Sequence, residues 1–264
     1  MEIAAHVDAL EEDGALLADA AVAAGLTASV PTCPGWQVRD LVRHQAYVHR
    51  WATLHVIEQP SEILGEDDEA TVLARGPDSA ELISAYRSGH AALVAALRAA
   101  DPGLDCATFM PAPSPLAFWA RRQAHETAIH RYDAQSAAPG GAPAPGDAFR
   151  AAFADDGIDE LIMGFAARRR YRLRADGTLS LTVRTTDTGN GWQVTLADGT
   201  TTVARCDQAA DGVEGASGDC LLEGRAAAVY AYLWNRSNAA AAAIAIAGDP
   251  VVLDVWRSSV RVAW

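Results

Sequence analysis

Two side chains in one stretch of this sequence have the types and spacing of metal ligands. Glu126 and His130 are four residues apart. On a helix that spacing leaves them about 40° apart in azimuth and one turn apart in height, so a carboxylate oxygen and an imidazole nitrogen can converge on one ion. A third ligand is required, and an upstream helical segment offers His44 and His49. His49 sits near the middle of that segment's apolar stripe and His44 on its edge, so periodicity slightly favours His49 and spacing does not decide. The run from His125 through Glu126 to His130 is one residue too long for a zinc-protease helix. Histidines five apart diverge by about 140°, which excludes the metalloprotease reading. On spacing alone, a Glu/His pair of this kind is more commonly a surface pair or an internal hydrogen bond. Trp51 and Trp119 read more readily as core or rim aromatics than as cofactor platforms, and Arg168-Arg169-Arg170 as a solvated helix end.

The elements that must carry these residues are legible from punctuation and period. Ile3, Val7, Leu10, Leu17 and Ala21 line one helical face that ends near Gly25. A second helix runs from about Trp36, with Val38, Leu41, Val42, Gln45, His49 and Ala52 on one side. A third opens with a capping box at Asp78-x-x-Glu81 and closes before Asp101-Pro102. The fourth starts at Ser114-Pro115, an N-cap followed by the proline that a first helical position tolerates. Its stripe Leu116, Trp119, Gln123, Glu126, His130, Asp133 begins apolar and turns ionisable halfway. Four long helices predict an antiparallel bundle over residues 1–136. Residues 137–146, rich in Pro and Gly, predict a linker. Residues 147–264 then predict a small α+β domain: a helix over Asp147 to Arg169, strands over Thr178 to Thr185 and Trp192 to Leu196 divided by Gly189-Asn190-Gly191, and a turn at Asp198-Gly199. A further strand over Thr201 to Arg205, a short one ending at Leu221 and a helix from Arg225 to Asn235 complete a mainly antiparallel sheet domain.

Composition narrows the chemistry. The 264 residues carry 34 acidic and 21 basic side chains, a formal net charge of −13, which disfavours nucleic acid and anionic membrane as partners. Every basic residue is Arg, so Schiff-base and P-loop lysine chemistry are absent. Cys33, Cys106, Cys206 and Cys220 form no C-x-x-C pair and read as reduced thiols. With no signal-like start and no long apolar run, the sequence predicts a soluble cytoplasmic protein.

The stretch Val30 to His44, centred on Cys33-Pro34-Gly35-Trp36, and the stretch Phe118 to Asp133 resemble the mycothiol-dependent maleylpyruvate isomerase family. The end of the chain, from Tyr230 through Trp234-Asn235-Arg236 to Gly248-Asp249, is similar to that family's C-terminal domain. The resemblance implies a DinB-like metal-binding four-helix domain followed by a sterol-carrier-like domain. It implies His44, Glu126 and His130 as the metal triad, taking His44 over His49. It also implies Arg236 as a catalytic residue, a guanidinium for a substrate or thiol carboxylate, with an interdomain salt bridge as the alternative role.

The cofactors implied are Zn2+ or another divalent metal and mycothiol, which itself implies an actinobacterial source. The partners implied are a low-molecular-weight thiol and a small electrophile. Three protein ligands would leave a position for the thiol, which loses its proton on binding; the thiolate would add to a conjugated double bond and leave after rotation, or remain in an S-conjugate. The contrasting reading is a non-catalytic binding protein that uses Trp192, Trp234, Trp256 and Trp264. Its metal would be structural, closed by a fourth ligand such as His49 or Asp133.

Overall fold

In the computed structural model, the structure describes residues 1–65, 81–168, 177–197, 200–207 and 219–259. Asp78 of the expected capping box, Arg169, Arg170, the Asp198-Gly199 turn and Trp264 lie outside the described residues. The protein is a two-domain α+β chain. One compact unit covers Met1–Pro143 and the second begins at Ala144.

Among the described residues the first unit contains four helices, α1 (Ile3–Ala24), α2 (Val38–Glu58), α3 (Glu81–Ala99) and α4 (Pro115–Ala137). Each bound has a local cause. Gly25, at φ 81°, ends α1 and returns its N–H to the Ala21 carbonyl, in a backbone region that costs glycine nothing. Asp40 reaches back to accept from the Gln37 N–H at 2.9 Å, which opens α2 at Val38 rather than at Trp36. Ser114 accepts from the Ala117 N–H at 3.1 Å and Pro115 takes the first helical position of α4. Contacts of α1 and α2 with both α3 and α4 close the bundle. Leu10, Leu17, Leu41, Val42, Leu93 and Ile129 fill its interior. α4 departs from the expected single buried face: it has no exposed residue, and Arg122, His125, Thr127 and Arg131 are buried along with the predicted stripe.

In the second unit, α5 (Ala151–Asp159) runs on into a π-helical turn at Glu160–Ala166. It starts four residues later than the expected helix because Pro145–Asp147 forms a separate 3-10 turn. The strands β1 (Leu179–Thr185), β2 (Asn190–Ala197), β3 (Thr200–Asp207), β4 (Cys220–Gly224) and β5 (Ala245–Gly248) form one sheet in the order β3-β2-β1-β4-β5. All neighbours are antiparallel except β1 and β4. The β1–β2 turn occupies Thr186 to Gly189, with Asn190 and Gly191 already in the ladder. Asp155 holds this hairpin from α5: its carboxylate accepts from the Thr185 and Thr188 hydroxyls at 2.9 and 2.8 Å and from the Asn190 amide. The helices α6 (Ala226–Leu233) and α7 (Val251–Ser259) complete the unit, and β5 and α7 have no counterpart in the sequence expectation. Gly248, at φ 86°, sits where a Cβ would overlap the Asp219 carbonyl, so the step from β5 to α7 requires glycine. No described helix is long and apolar enough to cross a membrane.

Candidate metal centre

Halfway along α4 the bundle interior becomes ionisable. The Glu126 Oε1 atom lies 3.2 Å from Nε2 of His44, on α2, and 3.2 Å from Nε2 of His130, one turn further along α4. The three residues are buried, and one donor atom of each lies within 4.8 Å of the others. A tetrahedral ion with ligand distances of about 2.0–2.1 Å has ligand–ligand edges of about 3.3–3.4 Å. Two edges of the triad therefore already have the length that a zinc-sized ion would impose. The chemistry of the set, two imidazole nitrogens and one carboxylate oxygen, suits zinc and several other divalent transition metals. On these observations the residues fit the expected ion.

Surrounding groups fix the donors. His130 Nδ1 lies 2.9 Å from Asp133 Oδ2, the outer carboxylate contact that orients a ligand imidazole and keeps its other nitrogen for a metal. Arg122, fully buried one turn before Glu126, donates to its Oε2 at 3.1 Å, and the Gln45 amide lies 3.5 Å from Oε1. Burial pushes the Glu126 carboxyl up, but hydrogen bonds from His130 and His44 and the charges of His130 and Arg122 outweigh it and hold the group well below the usual carboxylate range. For His130 burial acts downward, and the hydrogen bonds to Asp133 and Glu126 reverse it to a raised value. The lowered Glu126 value supplies the ionised carboxylate that a cation requires, and His130 gives up its Nε2 proton when it ligates one.

The structure brings His44, Glu126 and His130 together. His49, the position that periodicity slightly favoured, points to Thr127, with Nε2 2.8 Å from the hydroxyl. Its imidazole is depressed to about 3, first by burial and then by the neighbouring His90. Asp133 is engaged with His130, with the Thr32 hydroxyl at 2.6 Å and with the Cys33 thiol at 3.2 Å. Arg236 lies in the second unit just beyond α6, and its Nη1 donates to the Trp234 carbonyl at 3.0 Å.

Three contributors were not singled out in the sequence. Arg122 carries a signal, being four residues before Glu126 on α4. Thr32 and Cys33 carry no periodic signal, because they lie in a loop, although both fall within the Val30 to His44 stretch that carries the family resemblance. Trp36 completes the surroundings: its ring is nearly parallel to that of His130, 13° between planes at 6.2 Å, and 5.2 Å from that of His44.

Comparison with known proteins adds two kinds of result. The sequence profile described as the mycothiol maleylpyruvate isomerase N-terminal domain matches residues 7–135, and that family's C-terminal domain profile matches residues 152–254. Among solved structures, the crystal structure of the mycothiol-dependent maleylpyruvate isomerase superposes with a TM-score of 0.58 at 13% identity, covering 90% of each chain. A histidine-to-alanine mutant of that enzyme gives the same values. No curated protein matches the sequence.

Proposed function

Because the chain belongs to the mycothiol maleylpyruvate isomerase family, we propose that it is a metal-dependent enzyme that uses mycothiol to isomerise or S-conjugate a small electrophile. The observation that carries this reading is the convergence of one donor atom each from His44, Glu126 and His130, buried and held within 4.8 Å of one another. In this reading His44 and His130 ligate through Nε2 and Glu126 through Oε1. Arg122 donates to the second carboxylate oxygen of Glu126 and Asp133 holds the His130 ring in place. A divalent ion held there would supply a Lewis acid that lowers the pKa of a coordinated thiol, so that thiolate is available at neutral pH. Trp36 places its indole beside both imidazoles, 5.2 Å from the His44 ring and 6.2 Å from the His130 ring. Arg236 is proposed as the group for a carboxylate of the substrate or of the thiol, by virtue of its planar, permanently charged fork. A structural metal closed by His49 or Asp133 is disfavoured, since His49 is turned to Thr127 and Asp133 meets His130 at Nδ1, the nitrogen opposite the Nε2 that faces Glu126.

The deciding experiment is elemental analysis of the purified protein and of His44→Ala and His130→Ala, paired with an assay for thiol-dependent turnover of maleylpyruvate. About one metal per chain in the parent and a large loss in both variants is expected, because each removes one of three ligands. Unchanged metal content in both variants would overturn the assignment.

A further inference from the structure

We infer that Asp133 is a positioning residue that joins His130 to the loop carrying Trp36, so that ordering of the metal ligand and of the indole beside it is a single coupled event. The inference rests on the metal reading above and extends it to residues outside the triad.

The carboxylate of Asp133 is fully buried and is shared three ways. Oδ2 faces His130 Nδ1 at 2.9 Å and accepts from the Cys33 thiol at 3.2 Å, while Oδ1 accepts from the Thr32 hydroxyl at 2.6 Å. A second, weaker tie runs through Ser136, whose hydroxyl lies 3.1 Å from that of Thr32 and donates to the Asp133 carbonyl at 2.7 Å.

The loop that receives these bonds is tightly closed on itself. Cys33 N–H donates to the Val30 carbonyl, Trp36 N–H to the Cys33 carbonyl and Val30 N–H to the Trp36 carbonyl, at 2.9 to 3.1 Å. A segment with three internal backbone bonds over seven residues moves largely as a unit, so fixing Thr32 and Cys33 also fixes Trp36. The indole returns to the starting point by lying nearly parallel to the His130 ring. The contacts therefore form a closed circuit: His130 to Asp133, Asp133 to the loop, the loop to Trp36, and Trp36 to His130.

A tie of this kind has two consequences. Holding Nδ1 against a carboxylate orients Nε2 toward the ion position, the usual gain from an outer partner. An ion that restrains His130 also restrains Asp133 and, through it, residues 30–36. The coupling passes through a contiguous set of hydrogen bonds that two substitutions can interrupt without touching either Asp133 or the triad.

The test compares the full-length parent with D133N and with the double variant T32V/C33A. Zn2+ affinity is measured by competition with a chromophoric chelator, and amide exchange over residues 30–37 by mass spectrometry with and without Zn2+. D133N is expected to lose about 10- to 100-fold in affinity. T32V/C33A is expected to keep its affinity within about threefold, because His130 retains its carboxylate. In the parent, Zn2+ should slow exchange in the loop; in T32V/C33A the loop should exchange about tenfold faster, with the Zn2+ effect reduced to what the Trp36–His130 contact alone transmits.

Equal slowing by Zn2+ in the parent and in T32V/C33A would overturn the coupling, as would unchanged affinity in D133N. Should D133N not fold, the double variant decides alone. A parent that binds no Zn2+ would instead overturn the metal reading itself, so the two failures are distinguishable.

Discussion

At the scale of single residues, the triad members are not equivalent targets. Glu126 neutralises Arg122, which is fully buried four residues away. Removing the carboxylate breaks a buried ion pair by taking away one member of it, a change that costs about 3–5 kcal/mol. Glu126→Ala is therefore expected to unfold at clearly lower denaturant than His44→Ala when both are compared in EDTA, which removes any contribution from bound ion. Equal midpoints would show that Arg122 finds other compensation. The pair on α4 was legible because a spacing of four fixes two side chains on one face whatever surrounds them. The choice between His44 and His49 was not legible from periodicity, and only the family resemblance took His44. Thr127, which His49 contacts, is adjacent to Glu126 in sequence but about 100° round the helix, and a wheel drawn for α2 alone contains nothing about the azimuth of its neighbour. Asp133 was visible as part of the stripe, yet its role depends on Thr32 and Cys33, about a hundred positions away in the chain.

At the scale of elements, helix ends were read where a side chain or a proline sets them, as at Ser114-Pro115 and Gly25. The terminal strand β5 was not, since every residue of it is exposed and an unburied strand leaves no alternation to detect. Packing also explains a glycine inside a helix. Gly14 of α1 lies against the His90 ring of α3, and a Cβ there would overlap the imidazole. His90 Nε2 is 3.0 Å from the Leu10 carbonyl, and the Tyr86 hydroxyl donates to the Gly14 carbonyl at 3.2 Å. Gly14→Ala gains helix propensity but displaces this ring, and overpacking of this kind costs about 1–3 kcal/mol. A lowered melting temperature is expected, partly restored in Gly14→Ala/His90→Ala; an increase in Gly14→Ala alone would contradict the packing argument.

For the whole molecule, stability should depend on acidity through its buried imidazoles. Burial depresses His49, from an ordinary 6.5 to about 3, and likewise lowers His55 and His90. Below pH 6.5 the unfolded chain takes up protons that the folded bundle refuses, so folding free energy is full above that value and falls as pH drops toward 3. For His49 alone the slope approaches about 1.4 kcal/mol per pH unit. Urea midpoints measured from pH 7.5 to pH 4.5 should decline accordingly, and His49→Gln should flatten the curve. A flat profile in the parent would count against a neutral buried His49. An ion at the proposed site would act on the same equilibrium: free metal at a hundred times its dissociation constant would add about 2.7 kcal/mol, so stripping with a chelator should lower the melting temperature of the parent but not that of His130→Ala.

The enclosure of α4 has an effect of another kind. From Ser114 to Ala138 no position of this segment is exposed, whereas α1 presents Leu16 and Val22 to solvent at 40% and 61%. In a saturation library scored for folded protein, α1 would show a tolerant quadrant on its wheel. α4 would show depletion in every direction, leaving evolutionary drift in this half of the chain to the outer faces of its three companions.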